Sequence, residues 1–522
     1  MKDFQYGIQH LTSSIAMQIA KGTCRGSLLD KTREAIERSA RYVQQIVDAE
    51  KVVYGINTGF GPLCTTLINR ADTKKLQENI LKSHAVGVGD PIDKELSKLM
   101  LILKVHALAQ GYSGIQWTTI ERICWHIDND IIPVVPKQGS VGASGDLAPL
   151  SHLFLPLIGL GKVWYKGNIT TAEEVLSHYG LSPITLGAKE GLALINGTQF
   201  MAAHAVKAVI EMENLLSNAD LIASLMLEGL NGSIKPFFTE LHQLRPHKGN
   251  QFVASTIYNV LQGSEILISH KNCSRVQDPY SLRCIPQIHG ASRNAWLHLK
   301  DTIETEINAV TDNPIIINEE LTISGGSFHG QPIALPIDYA TLAISEIGNV
   351  SDRRVYLSLE GDTPNVPKLL LRETGLNSGF MILQYTTAAL ASENKGLCFP
   401  ASADSIPTSL GQEDHVSMGS IGGRKLLQVI EHVRRILSIE LICAAQAFDF
   451  HRPLKSSSIL EAVHQEIRSV IPHITADQPM EQILLAAEDL VASGRLVQIA
   501  EQTASAHNLS YYGTHADLFK AF

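Results

Sequence analysis

The chain has 522 residues, with 52 acidic and 43 basic side chains and a formal charge of −9. The basic residues are dispersed, so there is neither a nucleic-acid footprint nor a polybasic membrane patch, and a small-molecule substrate is the default partner. Seven cysteines without a C-x-x-C pair argue against a disulfide framework or structural zinc, and twenty histidines without H-E-x-x-H or similar spacing give no reason to expect a metal.

At the start of the chain, Asp3, Gln5, Gln9 and His10 break any apolar export segment, and no run approaches the roughly 18 apolar residues of a spanning helix. A reduced, cytoplasmic protein is expected. Over the first 200 residues, Gly/Pro punctuation at 59–62, 87–91 and 139–145 predicts functional loops. A short β-like piece is expected around 161–170. Beyond a soft boundary at 196–201 the pattern changes to apolar residues recurring at spacings of three and four, which predicts helices over 201–230, 291–310, 335–360, 379–394 and 424–450, with a second β-like piece at 314–324. In the last helix, Leu427, Ile430, Val433, Leu437, Leu441 and Ala444 form one stripe until Pro453 ends it. Several of these helices are apolar on more than one face and must be covered on several sides, as in a bundle interior or a subunit interface. The expected architecture is mainly α, with a loop-rich domain over 1–200 and a long-helix domain over 201–522.

The stretch Gly139-Ser140-Val141-Gly142-Ala143-Ser144-Gly145-Asp146-Leu147 carries the most chemistry. A small-Ser-Gly tripeptide can attack its own backbone: the Gly145 nitrogen reaches the Ala143 carbonyl carbon in a conformation that a Cβ would obstruct, and Ser144 loses its hydroxyl as water. The product is a 4-methylidene-imidazol-5-one ring. The same residues also read as a tight turn entering a helix, with Ser144 or Asp146 as N-cap. A hydrolase elbow, G-x-S-x-G, fails because Gly145 directly follows Ser144, and a dinucleotide fingerprint fails because the glycines at 139, 142 and 145 are three apart.

The block Gly142-Ala143-Ser144-Gly145-Asp146-Leu147-Ala148-Pro149-Leu150 resembles the signature of the aromatic amino acid ammonia-lyases, which build that ring from Ala-Ser-Gly. Similar blocks run from Tyr54-Gly55-Ile56-Asn57-Thr58-Gly59-Phe60-Gly61 through Asn196-Gly197-Thr198 and the 277–284 segment to Gln412-Glu413-Asp414-His415, covering roughly residues 50 to 450. The resemblance implies a long central bundle like that of the fumarase and aspartase superfamily, a homotetramer whose active sites mix residues from three subunits, and no external cofactor. It implies that the substrate amine adds to the carbon that was the Ser144 Cβ. Tyr54 then stands at the catalytic tyrosine position, where a phenol titrating at about 10 needs nearby donors or a cation to act as a base. Tyr280 is a second proton-transfer candidate. The planar guanidinium of Arg283 suits the substrate carboxylate, and on a helix it would share a face with Tyr280. Asn196 and Gln277 are implied partners of the carboxylate or the ring carbonyl, and Phe328 packs beside the ring. Ser327 departs from the Asn of many relatives. Cys273 is a candidate thiol near this site, with an inert buried thiol as the plainer reading.

Two places bear on the substrate. Ser83-His84 and Gln412-Glu413 resemble the members of the family that act on histidine, rather than the Phe-Leu or His-Leu and Asn-Gln pairs of the phenylalanine and tyrosine lyases. An imidazole needs its nitrogens satisfied: His84 can exchange hydrogen bonds with it, and Glu413 can accept from it. The implied reaction is elimination of ammonia from L-histidine to give trans-urocanate. A tyrosine or phenylalanine lyase or aminomutase, a non-catalytic helical scaffold, and a serine hydrolase using Ser144 are the alternatives.

Overall fold

The computed structural model describes every residue except 1, 64, 67, 70, 71, 272–274, 521 and 522. The chain is mainly helical, and its strands are short. Two compact units are present, each assembled from three segments.

The first unit comprises Met1–Lys207, Leu299–Asp338 and Pro400–Arg424. Its β content is a set of small ribbons, one of them a parallel pair, Lys2–Gln5 with Cys24–Ser27, joined through the helix Ser13–Ala20. The piece expected at 161–170 is a hairpin of Lys162–Tyr165 and Asn168–Thr171, whose turn residues Lys166 and Gly167 both take positive φ, as a tight two-residue hairpin requires. The piece expected at 314–324 is the pair Ile315–Ile316 and Thr322–Ile323. The helix Lys94–Leu108 lies at the centre of this unit: every residue from Leu99 to Leu108 is buried, and it packs against Ser13–Ala20 and Trp117–Asp128. A helix apolar nearly all round has to be covered on several sides. Thr73–His84, Leu147–Phe154 and Glu190–Ile195 pack together and bring the loops that follow or precede them into one region.

The second unit comprises Ala208–His298, Tyr339–Phe399 and Lys425–Phe522. The five expected long helices are observed as Gln199–Gly229, Ile285–Glu306, Gln331–Ser358, Met381–Leu397 and Gly419–Asp449. The second begins one to two turns earlier than its apolar stripe suggested, since Pro286 falls at its second position, where a missing N–H costs nothing. Within the unit, side chains tie the helices laterally. Trp296 Nε1 donates to the Val209 carbonyl at 2.8 Å, Ser292 Oγ donates to the Ala343 carbonyl at 2.7 Å, and Thr387 Oγ1 donates to Asp352 Oδ1 at 2.6 Å. Two ion pairs are fully buried among the apolar residues: Asp220 with Arg293, and Glu440 with Arg354. Removing one member of such a pair strands the other at a cost of about 3–5 kcal/mol, so the pairs fix which helix faces which.

Candidate active site

The 139–147 loop is clamped from two sides in the first unit. On one side, Gly197 forms a bridge with Gly145, its carbonyl accepting the Asp146 N–H at 2.7 Å. On the other, Met418 N–H donates to the Val141 carbonyl at 2.9 Å and Ser417 Oγ to the Gly142 carbonyl at 3.1 Å. Gly145 has φ +74°, and a Cβ there would stand 2.1 Å from the Gly197 oxygen, so no other residue fits. Ala143 is buried with Val416 and Met418, while Ser144 remains partly open. Asn196 Nδ2 donates to the Ser144 carbonyl at 2.7 Å, and Ser144 Oγ donates to Glu413 Oε1 at 2.7 Å.

Asp146 occupies the N-cap position of Leu147–Phe154 but makes no side-chain cap bond there. With its N–H held by Gly197, its carboxylate is directed instead to the start of Gln199–Gly229, where Oδ2 accepts the N–H groups of Phe200 and Met201, both at 3.0 Å. Those are orphan donors of a helix first turn, and a cap of this kind contributes about 1 kcal/mol. Oδ1 accepts from Ser420 Oγ at 2.5 Å and Ser140 Oγ at 3.1 Å. Burial pushes the carboxyl up to about 6, although the Ser420 hydroxyl and the Met201 N–H oppose the shift. Of the two N-cap candidates, Ser144 serves no helix, and Asp146 serves a different helix from the one it precedes.

Around Ser144 opens a cavity of about 1170 Å³. Tyr54, His84, Ala143, Ser144, Asn196, Phe328, Gln412 and Glu413 all line it, and all belong to the first unit. Tyr54 is set on a Gly-rich loop, where the Gly61 N–H donates to its phenolic oxygen at 3.2 Å. His84 ends the Thr73–His84 helix, with Nδ1 3.0 Å from Ser83 Oγ. Burial lowers its pKa, while a hydrogen bond with the Ile80 backbone and the negative charge of Glu413 act the other way. A neutral imidazole can both give and take a hydrogen bond. Glu413 is held by hydroxyls: its Oε2 accepts from Thr408 Oγ1 at 2.6 Å and Ser409 Oγ at 2.9 Å.

Gln277, Tyr280 and Arg283 are placed in the second unit and do not line this cavity. Tyr280 and Arg283 lie on the short helix Tyr280–Arg283, with the guanidinium 4.5 Å from the phenol ring centre, and Arg283 Nε donates to the Asp278 carbonyl at 2.9 Å. Tyr280 is 69% exposed. Cys273 lies outside the described residues.

Several groups at the site went unread in the sequence. Asn313, His329 and His415 also line the cavity, and His329 Nε2 sits 3.3 Å from the His415 carbonyl. Lys104 reaches the Asn196 carbonyl from a helix interior. A lysine inside the run Leu101-Ile102-Leu103-Lys104-Val105 was a signal available in the sequence, since lysine is almost never fully buried without a purpose. Among the described residues no three His, Cys, Asp or Glu side chains gather as metal ligands, and no helix is long and apolar enough to cross a membrane.

Residues 11–469 match the family described as aromatic amino acid lyase. The chain belongs to that family, an enzyme family of carbon–nitrogen lyases. It is 44% identical over 481 residues to a histidine ammonia-lyase of Natranaerobius thermophilus, covering 91% of this chain and 94% of that one. A histidine ammonia-lyase of Myxococcus xanthus is 43% identical over 482 residues, covering 92% and 95%. Among solved structures, the histidine ammonia-lyase from Trypanosoma cruzi superposes with a TM-score of 0.89 at 36% identity over 96% of each chain. The tyrosine aminomutase from Streptomyces globisporus does so at 0.91 and 29%, over 96% of this chain and 98% of that one.

Proposed function

We propose that this enzyme eliminates ammonia from L-histidine to give trans-urocanate, using a 4-methylidene-imidazol-5-one group made from Ala143, Ser144 and Gly145. The observation that carries the reading is the convergence on Ser144: an amide donor on its carbonyl, a carboxylate on its hydroxyl, and a cavity in front. The residues present suit the ring. Gly145 has the positive φ and the absence of Cβ that its nitrogen needs to approach the Ala143 carbonyl carbon, and Asn196 keeps a buried Oδ1 without a partner among the described residues. When formed, the ring supplies an electrophilic carbon for the substrate amine.

The chain's own side chains account for the rest. Glu413 and His84 offer an acceptor and a donor–acceptor pair to the two imidazole nitrogens, and a phenyl ring between them would leave a carboxylate unpaired at a cost of about 1–3 kcal/mol or more. That polarity is what favours histidine over phenylalanine. Tyr54, its oxygen already receiving the Gly61 N–H, is the base that takes the β-proton, and Phe328 supplies an apolar wall. Gln277, Tyr280 and Arg283 reach the cavity from neighbouring subunits of a homotetramer, a role that the exposed positions of Gln277 and Tyr280 and the half-buried one of Arg283 suit. A cytoplasmic location agrees with the free thiols of Cys124, Cys284, Cys398 and Cys443.

The direct test is urocanate absorbance on adding L-histidine, with L-tyrosine and L-phenylalanine as competing substrates and with intact mass recorded on the same sample. Faster turnover of tyrosine or phenylalanine, or a β-amino acid product, would overturn the substrate assignment. Full activity in a chain that has lost no water would overturn the ring.

A further inference from the structure

Lys104 lies in Lys94–Leu108 with every neighbour from Leu99 to Leu108 buried, and it is itself 1% exposed. An ammonium in such a place is costly unless it is held by a partner. Its Nζ donates to the backbone carbonyl of Asn196 at 2.6 Å. Asn196 follows the last residue of Glu190–Ile195 in an extended conformation, and Gly197 after it has φ +139°, so the helix no longer fixes the direction of this peptide. Two of the loop's contacts depend on that direction: Asn196 Nδ2 on the Ser144 carbonyl at 2.7 Å, and the Gly197 carbonyl on the Asp146 N–H at 2.7 Å. One buried amine therefore anchors the peptide that grips the tripeptide at Ser144 and just beyond its Gly145 end. Lys189, the other buried lysine nearby, is already engaged by Asp312 at 2.6 Å and the Ser113 carbonyl at 2.8 Å.

We infer that Lys104 is a positioning residue for the cyclisation of Ala143-Ser144-Gly145 and for holding the finished ring, acting through Asn196; this rests on the reading that the ring forms. In the first step the Gly145 nitrogen bonds to the Ala143 carbonyl carbon. The Ala143 oxygen leaves as water with the hydrogens of the Gly145 and Ser144 nitrogens, and a double bond forms from that carbon to the Ser144 nitrogen. In the second step the Ser144 Cα proton and the Ser144 hydroxide leave as a second water, and Cα and Cβ become doubly bonded. No oxidant is consumed. As the Cα proton departs, negative charge develops on the Ser144 carbonyl oxygen, the atom to which Asn196 Nδ2 donates. Preorganised donors at such an atom are effective only when their own backbone is fixed. Burial pushes the Lys104 amine down to about 7, against the charge of Asp312 and with that of Lys189, and in either protonation state it keeps N–H groups to donate.

The test uses the full chain carrying Lys104→Met, which keeps the length and removes the donor, and Lys104→Gln, which keeps a shorter donor. Intact mass is followed from synthesis onward, with circular dichroism and thermal unfolding as the check on folding and with kcat and KM for L-histidine. The unsubstituted protein should be lighter than its sequence by two waters. Lys104→Met should fold yet lose those waters roughly tenfold to a hundredfold more slowly, and kcat should fall with KM held within about twofold. Lys104→Gln should fall between the two. A folded Lys104→Met that matures and turns over like its parent overturns the inference. Should Lys104→Met fail to fold, Lys104→Gln decides: slower maturation supports the role, and parental maturation overturns it. Failure of both to fold also overturns it, in favour of a purely structural lysine. An unsubstituted chain of full sequence mass would sink the ring reading itself, and this inference with it.

Discussion

Ser144 Oγ donates to Glu413 Oε1 across 2.7 Å, although 269 residues of chain separate the two. The other carboxylate oxygen is held by the Thr408 and Ser409 hydroxyls, so the group is aimed before any substrate arrives. In the proposed ring formation, loss of the Ser144 hydroxyl as water would free Oε1 toward the cavity. A carboxylate oxygen released in this way is an acceptor for an imidazole N–H.

Glu413→Gln is therefore expected to lower kcat/KM for L-histidine by about 10–100-fold, the equivalent of a charged hydrogen bond, while residual turnover of L-phenylalanine stays within about twofold. Urocanate and cinnamate absorbance on the same preparation measures both. Equal losses on the two substrates would remove Glu413 as the imidazole partner.

Gly145→Ala places a Cβ against the Gly197 carbonyl in a left-handed conformation that costs roughly 1–2 kcal/mol for any L-residue before the clash is counted. The variant should retain both waters in its intact mass and lose lyase activity. Denaturant unfolding should show a lower midpoint. A chain that still matures would show that the Gly145 conformation is not required.

Asp146 gives a pH prediction. Its carboxyl sits at about 6 in the folded protein, above the ordinary carboxylate value of about 4 in the unfolded chain. The folded state thus binds the extra proton, and this contribution is fully present below pH 4 and lost as pH rises through 6. At roughly 1.4 kcal/mol per unit the loss is on the order of 3 kcal/mol. Asp146→Asn, which has no such proton to lose, should show a flatter stability curve than the parent between pH 4 and pH 6. Parallel curves for the two proteins would contradict this.

His84→Leu should reduce turnover of L-histidine about tenfold more than turnover of L-phenylalanine, since it removes a hydrogen-bonding group and adds an apolar surface. Competition between the two amino acids in one reaction reads the ratio directly. An unchanged ratio would place the imidazole elsewhere in the cavity.

What the sequence determined by itself is local in origin. The long helices follow from apolar spacings of three and four, the β-like piece at 161–170 from strand-forming residues, and the tight turn at Ala143-Ser144-Gly145 from the one residue type that takes a positive φ without strain. Each is set by residues within a few positions of one another. Tertiary structure alone decided that Asp146 caps Gln199–Gly229 rather than its own helix, and that Lys104 anchors Asn196. It also decided that residues 299–338 and 400–424 fold with the N-terminal segment to close the cavity, and that Gln277, Tyr280 and Arg283 stand on the other unit. The reason is physical: periodicity reports which face of an element is buried, whereas the partner of a buried polar group is whatever distant carbonyl or carboxylate the packed chain brings within hydrogen-bonding reach.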